Sequence, residues 1–172
     1  NIINDNKYSN LDIVYLNKKL SLTDSFKESI NHVKTEYAMW LNDDDYIINK
    51  NFLNIFLENI FKHNDTDIFY GKGYYNNFKT HEKKNAYVNS KIEQNATSSF
   101  EECYGMLQPA TFFKSNNLNV FNKIYYKNIF DVEFFINCKN KKFKFIDFII
   151  SEATINNDTI TDNNKYSQLI SH

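Results

Sequence analysis

Three consecutive carboxylates, Asp43, Asp44 and Asp45, follow the apolar run Tyr37–Leu41 and the turn residue Asn42. Such a run predicts a buried strand, and the ligands of open α/β sheets bind at the carboxyl ends of the strands. Adjacent like charges repel, and Mg²⁺ or Mn²⁺ would relieve this repulsion while leaving coordination positions for phosphate oxygens. The triplet therefore predicts a metal–diphosphate site. The alternative is a solvated acidic turn in which Asn42 or Asp43 caps the next helix.

The composition indicates a globular protein without a nucleic-acid partner. The chain has 172 residues, of which 42% are hydrophobic and 17% aromatic, enough for a single domain with its own core. The net charge of −1 provides no long-range attraction to nucleic acid. All 20 basic residues are lysines, so a phosphate ligand would need lysine, backbone amides or a metal instead of a forked arginine. We expect one domain over residues 1–172, with a polar tail from about residue 156.

The cysteine pattern and the lack of long apolar runs indicate the compartment. Cys103 and Cys138 match neither a disulfide framework nor a metal-ligand spacing, which fits a reducing environment. The sequence contains no run of transmembrane length and no secretory signal. We therefore expect a cytoplasmic protein, and peripheral association with the inner face of the membrane stays open.

Strand and helix patterns alternate along the chain, which is typical of an α/β domain with a mostly parallel sheet flanked by helices. The predicted strands are Leu11–Tyr15, Tyr37–Leu41, Asp67–Tyr70, Leu107–Phe113 and Phe143–Ile150. The predicted helices are Ser21–Val33, Ile47–Phe61, Ser98–Tyr104 and Val132–Lys139. Gly71 and Gly73 predict a tight turn after the third strand.

Five short motifs occur in the order found in the inverting family-two glycosyltransferases of the GT-A fold. Asn42–Asp45 resembles their metal-binding Asp-x-Asp motif, and Gln108–Phe113 is close to their Gln-Pro-Ala-Thr-Phe-Phe stretch. Asp131–Phe135 resembles the Asp-Tyr-Glu-Phe-Trp helix start that carries their catalytic carboxylate. Ser21–Ile30 is similar to their Gly-x-Ser-Asp-Ala-x-Asn-x-Gly segment, and Phe69–Gly71 to the strand after the metal motif. The resemblance covers roughly residues 11–161 and implies a GT-A-like, Rossmann-like fold.

The sequence also departs from this family pattern. The family's first strand–helix–strand unit, which holds the nucleotide base, has no counterpart before Asn1, so we expect a domain truncated at its N-terminus. Lys27 and Ser29 stand where the family often has Asn and Gly, and Val132 and Phe135 replace Tyr and Trp. The missing unit keeps a second interpretation open, namely a non-catalytic interaction or regulatory domain that retains the glycosyltransferase fold.

The resemblance implies an enzyme that transfers a sugar, with inversion, from a nucleotide-diphosphate donor to a glycan or lipid-linked acceptor, as in polysaccharide biosynthesis. It places Mn²⁺ or Mg²⁺ chiefly on Asp44, with Asp45 as a further metal ligand. It assigns donor binding to Asp24, Asn42 and Asp43, with Asn42 nearer the ribose. A lone calcium loop is disfavoured, because the triplet lacks the spaced oxygens and the glycine of such a loop.

By the same resemblance, Asp131 is the base that takes the proton of the attacking hydroxyl, and Glu133 is the next candidate. Each also has a structural interpretation. Asp131 could be a helix N-cap, and Glu133 a first-turn residue favoured by the helix dipole. Asp24 could be the capping-box partner of Ser21.

Acceptor binding falls to Gln108 and Tyr74, through hydrogen bonding and ring stacking respectively. Gln108 could instead satisfy backbone groups near Pro109, the only proline, which favours an edge position or a strand start. Trp40 is expected to fill the core rather than to stack on a sugar, because it precedes the turn.

Overall fold

The computed structural model describes residues 19–91, 105–123 and 130–155. The helices are α1 (Leu22–Ile30), α2 (Phe52–Lys62) and α3 (Phe130–Asn137). The strands are β1 (Tyr37–Met39), β2 (Tyr46–Ile47), β3 (Ile68–Asn77), β4 (Lys83–Asn85), β5 (Thr111–Lys114) and β6 (Phe143–Ile155). Two 3₁₀ segments, Gln108–Ala110 and Ser115–Lys123, flank β5. Within these ranges, no helix is long and apolar enough to cross a membrane.

Some predicted segments fall outside the described residues. They are the strand Leu11–Tyr15, the helix Ser98–Tyr104 and the polar tail from residue 156.

The described strands form one mixed sheet in the order β1–β5–β3–β6–β2, and β4 also pairs with β3. β1, β3 and β6 run in one direction, while β5 lies antiparallel between β1 and β3. β2 and β4 are antiparallel to their neighbours β6 and β3. The α/β class is therefore confirmed, whereas the mostly parallel sheet is corrected to a mixed one. Hydrophobic patterning could not reveal this, because an apolar strand has the same pattern in either direction.

β1 separates two hydrophobic cores, one on each face of the sheet. Tyr37 and Met39 pack into the core beneath α2, and Ala38 and Trp40 belong to the core beneath α1 and α3. This explains why the run is continuously apolar instead of alternating. However, β1 is shorter than predicted and ends the order of the described strands, so the interior position predicted for it is not found in this part of the chain.

α1 begins at the N-cap Ser21, whose hydroxyl bonds to both the backbone and the side chain of Asp24. The Ser21 hydroxyl accepts a hydrogen bond from the backbone N–H of Asp24 at 3.1 Å and donates to the Asp24 carboxylate at 2.6 Å. This arrangement satisfies an N–H group that the helix itself leaves unpaired. It orients α1 so that Phe26 enters the core.

α2 carries two apolar rows, and the sheet buries one of them. Phe56 of the inner row stacks on Phe112, with ring centroids 4.0 Å apart. The outer row is largely exposed and consists of Leu53, Leu57 and Phe61. The sequence predicted a wide buried stripe, which is wrong for this outer row, because a helix lying on a sheet presents one side to it.

Gly71 and Gly73 lie within β3 and not in the predicted tight turn. A Cβ atom on Gly73 would lie 2.6 Å from the carbonyl oxygen of Ser151 on β6 and would also meet Leu107. Glycine is therefore needed for close approach of the two strands, at a place where their register shifts.

We expect Trp40→Ala to lower the free energy of unfolding by about 3–5 kcal/mol, because it empties the centre of an aromatic cluster. Trp40 is 8% exposed and contacts Phe26, Phe113 and Phe134. Urea denaturation measures the change. Leu57→Ala, on the exposed row of α2, is the control and should change stability by about 0.5 kcal/mol or less. Equal effects of the two substitutions would contradict the assignment of Trp40 to the core.

Candidate functional site

The acidic turn between β1 and β2 is closed by Asn42 and Asp45. The N–H of Asp45 donates to the carbonyl oxygen of Asn42 at 3.2 Å. In return, Asp45 Oδ2 accepts from the Asn42 side-chain amide at 2.9 Å and from its backbone N–H at 3.4 Å. Asp45 is 7% exposed, so its carboxylate faces inward and stabilises the turn. Its predicted role as a metal ligand stays a prediction, and this oxygen is already engaged.

The environment of Asp45 disfavours its charge. Burial raises the pKa of the Asp45 carboxyl above its usual value, and the adjacent charge of Asp44 raises it further. The hydrogen bonds from Asn42 act in the opposite direction. A cation near this turn would therefore favour the ionised form of Asp45.

Gln108 braces the turn from the 3₁₀ segment before β5. Its Nε2 donates to the carbonyl oxygen of Trp40 at 2.9 Å, and its Oε1 accepts from Asn42 Nδ2 at 3.2 Å. The structure thus brings Gln108, a predicted acceptor residue, next to Asn42, a predicted donor residue. Both ends of the Gln108 amide form hydrogen bonds to this part of the chain. This agrees with the alternative that Gln108 satisfies backbone groups, although its backbone partner is Trp40 and not a residue near Pro109.

The other side of the turn is attached to β6. The hydroxyl of Thr154 donates to the carbonyl oxygen of Asp44. The backbone is therefore held from both sides, while the side chains of Asp43 and Asp44 are exposed. Two adjacent exposed carboxylates on a braced turn fit Mg²⁺ or Mn²⁺, because such ions are often bound by one or two carboxylates plus phosphate and water. Among the described residues, no group of three or more His, Cys, Asp or Glu could hold a metal by itself.

A cavity of about 480 Å³ lies between α1 and β1, beside the turn. Asn42 and Asp43 line it together with Ser25 and Ser29 of α1, and the remaining wall is mostly apolar. The volume is within the usual range of ligand pockets. Asp24 does not line this cavity, and its carboxylate accepts a hydrogen bond from the Ser21 hydroxyl at the start of α1.

Asp131 lies in the first turn of α3, at the carboxyl end of the sheet. The short connection 138–142 reverses the chain, so α3 runs antiparallel to β6 and its first turn lies toward the strand ends that ligands occupy. Phe134 packs on Trp40 with ring centroids 5.2 Å apart, and Asp131 is one turn earlier on the same side of the helix. The contact between Phe134 and Trp40 thus places α3, and with it Asp131, on the same face of the sheet as Trp40, which precedes the acidic turn.

The structure corrects the capping interpretation of Asp131. α3 begins at Phe130, so Asp131 is inside the first turn and not at the N-cap. Burial raises the pKa of the Asp131 carboxyl, and the backbone N–H of Val132 opposes this shift. Glu133 is in the same first turn, as its structural interpretation required, and it is half-buried.

Sequence reasoning missed Glu152, Lys83 and Asn76. Glu152 is 5% exposed, forms an ion pair with Lys83, and accepts from Asn76 Nδ2 at 2.6 Å. The missed signal was the alternation of polar and apolar residues after Ile150, which continues β6 to Ile155 instead of ending it. The predicted acceptor residue Tyr74 is opposite Glu152 in the sheet.

Comparison with known proteins identifies the fold. No protein-family model matches the chain, and no curated protein matches it in sequence. Among solved structures, the chain is similar to S. aureus TarS, a glycosyltransferase, with a TM-score of 0.52 and 18% sequence identity. The similarity covers 75% of this chain and 23% of the TarS chain. The chain therefore has a glycosyltransferase-like fold and spans less than a quarter of the neighbour's length.

The raised pKa of Asp131 predicts a pH-dependent contribution to stability. The folded protein retains a proton that the unfolded chain releases, so the contribution is complete below the ordinary carboxyl pKa, about 4. It is lost as the pH rises through the raised folded-state value. Asp131→Asn removes this effect, so the unfolding free energy of the variant should fall less than that of the wild type between pH 4 and pH 7. Urea denaturation across this range measures both slopes, and parallel curves would contradict the prediction.

Proposed function

We propose that the chain transfers a sugar, with inversion, from a nucleotide-diphosphate donor, as a family-two glycosyltransferase of the GT-A type acting in the cytoplasm. The observation that supports the proposal most is the contact of Trp40 with Phe134, which joins the strand before the braced acidic turn to α3, the helix that carries Asp131. The glycosyltransferase-like fold supports it.

In this proposal the acidic turn binds the donor. Asp44, assisted by Asp43, would hold Mn²⁺ or Mg²⁺, which when bound would stabilise the charge that develops on the departing nucleoside diphosphate. Asp45 and Asn42 keep the turn in shape through their mutual hydrogen bonds. The cavity lined by Asn42 and Asp43 would receive the nucleoside. Without arginine in the chain, these groups and lysines must supply the phosphate contacts.

Asp131 would remove the proton of the attacking hydroxyl. As the acceptor oxygen bonds to the anomeric carbon, the bond from that carbon to the phosphate oxygen breaks, and the electron pair leaves with the diphosphate. The hydroxyl proton passes to the Asp131 carboxylate. Burial makes this carboxylate a stronger base than an exposed one, which suits the task at neutral pH.

Asp44→Ala should abolish Mn²⁺-dependent binding of nucleoside diphosphates without unfolding the chain, because the side chain is exposed on a turn and makes little packing contact. Calorimetric titration of UDP, GDP, CDP and ADP, with and without Mn²⁺, tests this. Asp147→Asn, which removes an exposed carboxylate from β6, is the control. Unchanged affinity of the Asp44→Ala variant would refute the metal assignment.

Asp131→Asn should lower turnover by about two to four powers of ten while leaving donor affinity nearly unchanged, because it removes the proton acceptor but keeps the shape. Transfer or hydrolysis is followed with a panel of nucleotide sugars in Mn²⁺. Near-normal turnover would exclude Asp131 as the base and direct the search to Glu133. A folded wild type that neither binds nor turns over any of these donors would favour the non-catalytic interaction domain.

A further inference from the structure

A polar strip extends across the sheet from the acidic turn. It consists of two adjacent rows of paired residues at the carboxyl ends of β3 and β6. The first row contains Tyr46 on β2, Glu152 on β6, Tyr74 on β3 and Asn85 on β4. The second contains Thr154 on β6, Asn76 on β3 and Lys83 on β4. Because Thr154 donates to the carbonyl oxygen of Asp44, the second row begins at the acidic turn itself.

All seven side chains are on one face of the sheet, since paired residues on neighbouring strands point the same way. The intervening residues Tyr75 and Ala153 pack into the core beneath α2, on the opposite face. β3 alternates regularly, so the strip shares its face with Tyr70, which is in the core beneath α1 and α3. Asp131 of α3 is therefore on the same side of the sheet as the strip.

Three polar side chains of the strip bind one another, through an ion pair and a hydrogen bond. Lys83 Nζ binds one carboxylate oxygen of Glu152, and Asn76 Nδ2 binds the other. Burying a carboxylate is costly unless it is paired, and Glu152 is 5% exposed while the side chain of its partner Lys83 is 54% exposed. Asn76 Oδ1 is buried without a hydrogen-bond partner, which is also a cost to folding. These costs indicate that the strip is there for a ligand.

The chemistry of the strip selects the class of ligand. Tyr46 is 57% exposed, so its ring can stack against the C–H face of a sugar, and Tyr74, on the other side of Glu152 in the same row, is half-buried. Glu152 and Lys83 neutralise each other, and the other members are uncharged, so the strip has no net charge to attract an anion. From the turn to β4 it crosses three inter-strand spacings, about 14 Å, which is longer than one sugar ring.

We propose that this strip binds the acceptor as a neutral polyhydroxylated chain, a glycan or polyol of at least two units, with its reacting hydroxyl at the Asp44 end. The direction of the acceptor rests on the proposed transferase function, whereas binding of the neutral chain to the strip does not. Glu152 acts as a positioning residue that holds Lys83 and Asn76 in place.

The test begins with an array of neutral and phosphate-bearing glycans, followed by calorimetry on the neutral glycan that binds best. Tyr46→Ala should weaken that affinity about tenfold through the lost stacking area. Asn85→Ala, at the far end, should weaken it about threefold through one lost hydrogen bond. Phe61→Ala removes an even more exposed aromatic ring from α2, on the opposite face, and should change nothing. Binding of UDP, GDP, CDP and ADP with Mn²⁺ is measured on each variant and should be unaffected.

The outcomes separate the two proposals. The strip proposal is overturned if the wild type binds no neutral glycan, if it binds phosphate-bearing glycans alone, or if Tyr46→Ala and Phe61→Ala behave alike. If neutral glycans bind in a Tyr46-dependent way but no nucleoside diphosphate binds, the strip proposal is supported and the transferase proposal fails. If nucleoside diphosphates bind but no neutral glycan does, the strip proposal fails and donor binding, as the transferase proposal requires, is supported.

Discussion

The packing of Trp40 is the interaction on which the geometry of the candidate site depends. Its indole contacts Phe26 of α1, Phe113 of β5 and Phe134 of α3, with ring centroids 4.6, 4.7 and 5.2 Å away. Three elements that are distant in sequence thus meet at Trp40, two residues before Asn42 of the acidic turn. Phe134 is one helical turn from Asp131. The Trp40–Phe134 contact therefore relates the carboxylates of the acidic turn to those in the first turn of α3. Aromatic rings suit this purpose, since they bury a large area and prefer defined relative orientations.

Around this apolar centre, a polar network gives the turn its shape. The network joins three parts of the chain: Asn42 and Asp45 of the turn, Gln108 of the segment before β5, and Thr154 at the end of β6. Their hydrogen bonds leave the side chains of Asp43 and Asp44 exposed. The inward carboxylate of Asp45 has a destabilised charge, which is a cost that folding alone does not require. Such costs are typical of functional sites, where charges are held ready for a ligand.

The two faces of the sheet illustrate how a short chain separates folding from function. One face carries the core beneath α2, and the other is apolar near α1 and α3 but polar toward the carboxyl strand ends. β3 and β6 are long enough to serve both purposes, because beyond Tyr70 and Phe145 they carry polar residues on the face of α1 and α3 while Tyr75 and Ala153 still pack beneath α2. The apolar parts stabilise the domain, and the polar extension is accessible beside the acidic turn.

The local elements were largely predictable, because they follow from patterns of neighbouring residues. Periodicity located α1 and α2, the Ser21 N-cap was recognisable, and the apolar run after Tyr37 was correctly placed between two cores. The third helix was expected from a capping signal at Asp131, and it begins at Phe130, two residues earlier than predicted. The α/β class and a glycosyltransferase-like fold also followed from the sequence and its motifs. Strand direction and order did not, because a side-chain pattern with a period of two is the same in parallel and antiparallel strands.

For the site, the sequence by itself determined which carboxylates were candidates for metal binding and catalysis, since an acidic run directly after an apolar strand can be recognised from the order of residues alone. Tertiary structure decided how they are used. In the folded chain the Asp45 carboxylate faces inward and accepts from Asn42, and the Gln108 amide forms hydrogen bonds to the turn. Asp131 lies inside the first turn of its helix. Tertiary structure also assembled Glu152, Lys83 and Asn76 into one cluster from three strands. Burial and pairing depend on residues far apart in the chain, and the spacing of neighbours along a sequence carries no information about such long-range contacts.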